Sequence, residues 1–136
     1  MQPKTPEQKR MGILLRVADR DMEVAELLLR HSPHLYENVG FNCQQAVEKY
    51  AKAALIANNL PAPHIHVLVK LLRPLVQSSL IVLDSTEMAD AVTLQDFAVE
   101  WRYEIDGAPG YAAADILNMA YRFQRKLRPL ALAYLA

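Results

Sequence analysis

The stretch FNCQQAVEKYAKAAL, residues 41–55, decides the fold. It predicts a helix, because alanine and straight-chain residues dominate it and it contains neither glycine nor proline. One side of that helix is apolar and carries Cys43, Ala46, Val47, Tyr50 and Ala54. The other side is polar and carries Gln44, Gln45, Glu48, Lys49 and Lys52. Spacing of four residues stacks such groups along one face, which is either a solvated surface with a Glu48–Lys52 ion pair or the lining of a pocket.

The rest of the chain has the same helical character. Only four glycines occur, none lies between Gly40 and Gly107, and valine and isoleucine never alternate with polar residues at the period of a strand. The apolar spacing predicts helices over residues 6–31, 38–58, 66–77, 84–101 and 111–136. Because there is no repeat, low-complexity tract or linker, residues 1–136 are expected to form a single all-α domain in which the helices make one bundle.

Several helix ends carry local signals. TPEQ, residues 5–8, predicts a capping box with proline at the first helical position, and Asp84 with Glu87 predicts a cap for the fourth helix. Proline should bend or end the third helix at Pro74 and kink or fray the last helix at Pro129. The segment QSSLIVL, residues 77–83, fits either a loop or a ragged helical turn.

Composition limits the classes of function. Fifteen basic residues balance fifteen acidic ones, so no global field attracts nucleic acid or an anionic membrane, and any site for a polyanion must be local. The single cysteine, Cys43, excludes an internal disulfide and suits a reducing compartment; its position predicts a buried structural thiol. The N-terminus lacks an apolar signal core, and no apolar run reaches the length of a membrane span. We therefore expect a small soluble cytoplasmic domain.

Signatures of catalysis and metal binding are absent from the sequence. There is no P-loop, no dinucleotide-binding glycine motif, no HExxH and no GxSxG. The four histidines have poor ligand spacing: Pro33 separates His31 from His34, and His64 and His66 would point apart on a helix. We predict no metal site, no cofactor and no catalytic residue.

Two basic features are candidates for phosphate contact. In FAVEWRYEIDGAPG, residues 97–110, Arg102 lies between Trp101 and Tyr103 at a helix end. An arginine held by aromatic rings can grip a phosphate bidentately, although stacking at a helix C-terminus explains the pattern as well. The run YRFQRKLR, residues 121–128, has four basic residues and no acid; it either contacts phosphates or forms a solvated outer face.

Taken together, these segments resemble the HEPN family of small helical domains, named for proposed nucleotide binding. Residues 41–60 resemble the second-helix pattern, a Gln-Gln pair followed by Ala-x-Glu-Lys and a further lysine. PAPHIHVLVKLL, residues 61–72, resembles the next segment, Pro-x-x-[ST]-His-x-Leu-x-x-Leu-Leu, with Ile65 in place of the hydroxyl residue and His66 as the histidine. Residues 97–123 resemble the Arg-Tyr end of the fourth helix, the loop and the closing helix. The resemblance implies an up-and-down bundle of four to five helices that is commonly a homodimer.

The resemblance also implies a site. In the family, the polar face of the second helix and the arginine of the fourth tend to meet in a cleft near the dimer interface. The corresponding nucleotide-binding residues here are Arg102, Lys52, Gln44, Gln45, Glu48, Lys49, His66 and Tyr103. Arg102 would hold phosphate, the glutamines would hydrogen-bond base or ribose, and the lysines would add charge.

Two roles are known in such a family, and they differ in chemistry. Its metal-independent ribonucleases place a histidine shortly after the arginine, whereas no histidine follows Arg102; cleavage through the 2′-hydroxyl needs a proton acceptor tuned near neutrality. Other members pair with a minimal nucleotidyltransferase in toxin–antitoxin-like systems. We therefore expect a non-enzymatic nucleotide-binding or interaction module that dimerises, takes a nucleotide or RNA ligand and pairs with a nucleotidyltransferase. The alternatives are a toxin-like ribonuclease and a purely structural dimerising bundle.

Overall fold

A computed structural model of the protein describes residues 5–98 and 112–135, with side chains to residue 133. Within these ranges the chain forms five α-helices and no strand. The helices are α1 (Pro6–His31), α2 (Tyr36–Ala57), α3 (Leu68–Gln77), α4 (Ser85–Gln95) and α5 (Ala113–Leu135). The prediction of an all-α helical bundle is confirmed.

Both predicted capping boxes are present. The Gln8 amide nitrogen donates to Thr5 Oγ1 at 3.2 Å, and the Thr5 nitrogen donates to Gln8 Oε1 at 2.8 Å. At the start of α4 the Glu87 nitrogen donates to Asp84 Oδ1 at 2.7 Å, and the Asp84 nitrogen donates to Glu87 Oε1 at 3.1 Å. Each box satisfies two backbone N–H groups that a helix start otherwise leaves unpaired.

Helix α2 is the central helix of the bundle. It packs against α1, α3, α4 and α5, and its fully buried side chains include Val39, Val47, Tyr50 and Leu55. The buried apolar residues of all five helices form one contiguous core around it. A helix surrounded in this way has little solvent-exposed surface, so its polar side chains are largely buried as well.

Several helix boundaries differ from the sequence prediction. Helix α3 begins at Leu68, so His66 lies in the connection that precedes it. Helix α4 ends at Gln95, and residues 96–98 form turns, so Ala98 is not part of it. Residues 78–84 connect α3 to α4 without a regular helix, which settles the QSSLIVL segment as a loop.

Neither Pro74 nor Pro129 ends its helix, so of the two outcomes predicted for Pro74 only bending is left open. Pro74 lies inside α3, which continues to Gln77, and Pro129 lies inside α5, which continues to Leu135. Proline removes one backbone donor and its ring crowds the preceding turn. Both helices nevertheless continue past the proline, by three residues in α3 and by six in α5.

The basic run of α5 is used mainly to join helices. Arg122 pairs with Asp90 of α4 at 2.8 Å, and Lys126 pairs with Glu87 at 2.6 Å. Arg128 pairs with Asp19 of α1 at 2.8 Å. Of the four basic residues at 121–128, only Arg125 lies exposed without such a pair among the described residues. The two interpretations offered for this run, phosphate contact and a solvated face, both missed these pairs.

Candidate functional site

The polar stripe of α2 is buried. Gln44 is 0% exposed, Glu48 4% and Lys52 9%. The interpretation of this stripe as a solvated face is therefore wrong, because neighbouring helices and the α2–α3 connection cover it. Polar and charged groups are costly to bury unless they find partners, so their partners define what the site is.

The Glu48 carboxylate is the hub of these contacts. Gln44 Nε2 donates to Glu48 Oε1 at 3.2 Å, and Lys52 Nζ lies 3.4 Å from Oε2. His66 Nδ1 lies 3.2 Å from Oε1 and 3.1 Å from Oε2. We call Gln44, Glu48, Lys52 and His66 the Glu48 cluster. Three donors around one buried carboxylate satisfy its lone pairs and keep it compatible with a low-dielectric position.

His66 is the exposed member of the cluster. Its side chain is 74% exposed while that of Glu48 is 5% exposed. The histidine therefore lies at the surface, directly over a buried carboxylate. A proton on Nδ1 bonded to the carboxylate leaves Nε2 as an acceptor on the other side of the ring. This arrangement fixes the ring orientation and presents one nitrogen outward.

The segment that carries His66 is itself anchored. Helix α3 has no side-chain cap from its own N-cap residue, Val67. Instead the Leu68 nitrogen donates to Gln95 Oε1 of α4 at 2.8 Å. Gln95 thus holds the start of α3, two residues after His66, by satisfying one of the donors that a helix start leaves open. Sequence reasoning missed Gln95, because a cap supplied from a distant helix leaves no local pattern.

The remaining residues of the stripe turn toward α1. Gln45 Nε2 donates to Gln44 Oε1 at 2.7 Å, and its own Oε1 accepts from Lys49 Nζ at 3.4 Å. Lys49 Nζ also pairs with Asp21 of α1 at 2.7 Å. The predicted role of Lys49 as added positive charge is thereby weakened, since Asp21 neutralises it. Asp21 was not anticipated from sequence.

The structure brings six of the eight predicted site residues into one connected network. They are Gln44, Gln45, Glu48, Lys49, Lys52 and His66. The other two, Arg102 and Tyr103, lie outside the described residues. The proposed meeting of Arg102 with α2 therefore remains a prediction.

Other chemistry in the described part of the chain is limited. No group of three histidine, cysteine or acidic side chains among the described residues is placed to hold a metal ion. Cys43 is buried, and burial raises the pKa of its thiol to about 12. A thiol that stays protonated at neutral pH is a poor nucleophile, which agrees with the expected structural role.

Comparison with known proteins identifies the family. The model of the HEPN domain family matches residues 11–128, and the chain therefore belongs to the HEPN family. No curated protein and no solved structure gives a significant match. None of the described helices is both long and apolar enough to span a bilayer. Membership in this family supports a module related to nucleotides or RNA in general terms.

Proposed function

Starting from a HEPN domain, we propose that this protein is a non-enzymatic module that binds a nucleotide or an RNA end at the Glu48 cluster. The observation that carries the proposal is the burial of Gln44, Glu48 and Lys52 in one hydrogen-bonded group. Apolar residues of similar volume would fill the same space with no desolvation penalty. Buried titratable groups that converge on one point are typical of functional sites.

The contacts refine the roles assigned from sequence. Both polar ends of Gln44 are already engaged, with Glu48 and Gln45, so Gln44 positions the carboxylate. Gln45 is only partly buried and keeps a second N–H for a base or ribose oxygen. Lys52 is paired with Glu48 and would have to turn its remaining N–H groups toward a phosphate, to which Arg102 is expected to add the bidentate contact.

The partners follow from the same proposal. The module would act as a homodimer and would dock on a minimal nucleotidyltransferase in a toxin–antitoxin-like pair. Family membership supports a dimer in general terms. Co-purification of the chain with a nucleotidyltransferase encoded beside it, together with sedimentation of the isolated chain, tests both statements independently of ligand binding.

Calorimetric titration with ATP and with GTP tests nucleotide binding. We expect saturable binding by the wild type that is lost in Arg102→Ala and weakened at least about tenfold in Lys52→Met, because each removes a charge-assisted contact. Lys70→Met removes an exposed lysine of α3 and is the matched control. Absence of binding by a folded wild type would favour the purely structural dimerising bundle instead.

One observation favours a second candidate, a metal-independent ribonuclease. Nδ1 of the exposed His66 lies 3.1 Å from Glu48 Oε2; in the tautomer that donates from Nδ1, Nε2 is the free acceptor, which is the arrangement of a general base held by a carboxylate. Nε2 would take the proton of an RNA 2′-hydroxyl, the 2′-oxygen would attack the adjacent phosphorus as the bond to the 5′-oxygen breaks, and the leaving 5′-oxygen would take a proton from water. The products would be a 2′,3′-cyclic phosphate and a 5′-hydroxyl. Cleavage in the presence of chelator that is lost in His66→Gln and kept in Lys70→Met would establish this activity; the nucleotide titration reads binding separately.

A further inference from the structure

A cavity lies between the N-terminal half of α1 and the C-terminal half of α5. Its volume is about 540 Å³, within the usual range of small-molecule sites. The residues that matter for its chemistry are Lys9, Gly12, Ile13, Arg16, Arg128 and Leu132. No member of the Glu48 cluster lines it, so the cavity is separate from the site described above. We call it the α1–α5 groove.

Arg128 is held rigidly at the wall of this groove. Its Nε donates to Asp19 Oδ1 at 3.0 Å and its Nη2 donates to Oδ2 at 2.8 Å. The fully buried Tyr50 donates its hydroxyl to Asp19 Oδ1 at 2.5 Å, and Gln124 Nε2 donates to the Tyr50 oxygen at 2.9 Å. One edge of the guanidinium is thus occupied by Asp19, whereas Nη1 has no hydrogen bond within the described residues. A guanidinium fixed in this way loses little side-chain entropy when it binds an anion.

The carboxylate of Asp19 stays ionised in this setting. Burial raises the pKa of Asp19, but the hydrogen bonds from Arg128 and Tyr50 lower it by more, so the pKa lies below its usual value. Its charge is therefore cancelled by Arg128 and does not oppose a second anion. Asp19 lines the cavity together with Arg128, and the hydrogen bonds that hold the two side chains are complete without a ligand.

Two further cations in the groove have no acidic partner in the described parts of the chain. Lys9 and Arg16 lie two helical turns apart along α1, and both line the cavity with Arg128. With Asp19 already paired, the lining carries an excess of positive charge. Low-dielectric walls around unpaired cations concentrate an attractive potential for anions.

The floor of the groove is open and apolar. A Cβ atom built at Gly12 would meet nothing within 4 Å, so packing does not require glycine there, although glycine weakens a helix interior relative to alanine. Ile13 is 51% exposed and Leu132 41% exposed, and they form the apolar walls. The glycine leaves room for a flat or compact apolar group between them.

We propose that the α1–α5 groove binds a small phosphomonoester with an apolar body. The phosphate would lie among Lys9, Arg16 and the Nη1 side of Arg128. The apolar body would lie over Gly12 between Ile13 and Leu132. This inference goes beyond the nucleotide site on α2 and does not depend on it, because the two sites share no residue.

Titration with phenyl phosphate, followed by amide chemical shifts, tests the proposal. Saturable shifts at Gly12 are expected. Inorganic phosphate and phenol should each give weaker shifts, because the first lacks the apolar body and the second lacks the phosphate. Arg16→Ala should weaken binding about tenfold, because it removes one charge-assisted contact, whereas Lys70→Ala should leave it unchanged. Gly12→Leu should abolish binding, measured by calorimetry, while the protein stays folded, because its side chain fills the open floor.

A variant in the other site separates the two proposals. Lys52→Met should bind phenyl phosphate with wild-type affinity although its nucleotide binding is weakened. The proposal is overturned by absence of saturable shifts at Gly12 in the wild type, by equal binding of Gly12→Leu and wild type, or by equal losses in Arg16→Ala and Lys70→Ala.

Discussion

The Nδ1 atom of His66 lies 3.1 Å from Oε2 of Glu48. The histidine side chain is 74% exposed and the carboxylate 5% exposed, so a single contact links solvent to a buried charge in the centre of the bundle. Lys52 and Gln44 approach the same carboxylate from one helical turn on either side along α2. Glu48 is therefore the shared partner of every other member of the cluster. Replacing one partner should change the stability of the remaining contacts to this carboxylate.

The buried Lys52–Glu48 pair should be energetically coupled. Lys52→Met removes the cation and leaves the carboxylate with only Gln44 and His66, so we expect the free energy of unfolding to fall by about 3 kcal/mol. Adding Glu48→Gln removes the stranded charge and should recover part of that loss. Urea unfolding of both single variants and the double variant measures the coupling. Strict additivity of the two losses, or an equal effect of the exposed control Lys70→Met, would contradict a buried pair.

The course of the main helices was predictable from the sequence because it rests on local signals. The capping boxes at Thr5 and Asp84 are set by residues three apart, and the apolar period of α1 and α2 selects the face that packs. The sequence did not decide whether Pro74 would end α3 or only bend it, because a proline removes one donor but leaves the flanking turns free to stay helical, and α3 continues to Gln77.

The sequence placed the polar residues of α2 on one face but could not give the geometry of the cluster that they form. Spacing of four residues placed Gln44, Glu48 and Lys52 on one face of α2, yet the same pattern fits a surface or an interior. The neighbours of α2 decide between them, and those contacts join residues far apart in sequence. The bond from His66 to Glu48 spans eighteen residues and depends on where α3 begins. No periodicity encodes such a distance.

Tyr50 should stabilise the hydrogen-bond network at the α1–α5 groove. Its hydroxyl donates to Asp19 and accepts from Gln124, and its side chain is fully buried. Tyr50→Phe keeps the packing but leaves the Gln124 amide and one lone pair of Asp19 without this partner, so the free energy of unfolding should fall by about 1 to 2 kcal/mol. Thermal unfolding checks the magnitude. Tyr36→Phe is the control, because Tyr36 makes no comparable hydrogen bond across helices among the described residues. A change below the error of the method in Tyr50→Phe would show that the hydroxyl is dispensable.

Alkaline pH should destabilise the fold through Tyr121. Its hydroxyl donates to Glu26 of α1, and burial together with that bond raises the pKa of Tyr121 from 10.0 to about 12. Between these values the unfolded chain loses the proton while the folded protein keeps it, so the unfolded state binds fewer protons and stability falls as pH rises. The contribution is present in full below pH 10 and is lost as pH rises to about 12. Urea midpoints across this window should fall less steeply in Tyr121→Phe than in the wild type; parallel slopes would assign the alkaline loss to other groups.

Two glycines in helix interiors should respond to alanine with opposite signs. A Cβ atom at Gly40 of α2 would overlap the ring of the buried Phe97, including Cγ at its root, so rotation of the ring cannot relieve the contact. Gly40→Ala should destabilise the protein, because overpacking costs about 1 to 3 kcal/mol and outweighs a helix-propensity gain of up to about 1 kcal/mol.

A Cβ atom at Gly12 of α1 meets nothing within 4 Å, so Gly12→Ala should keep the whole gain and raise the free energy of unfolding by about 0.5 to 1 kcal/mol. Each glycine is thus the control for the other in urea unfolding. Equal shifts of the same sign would show that helix propensity alone governs both positions and that α2 does not approach Phe97 as closely as described.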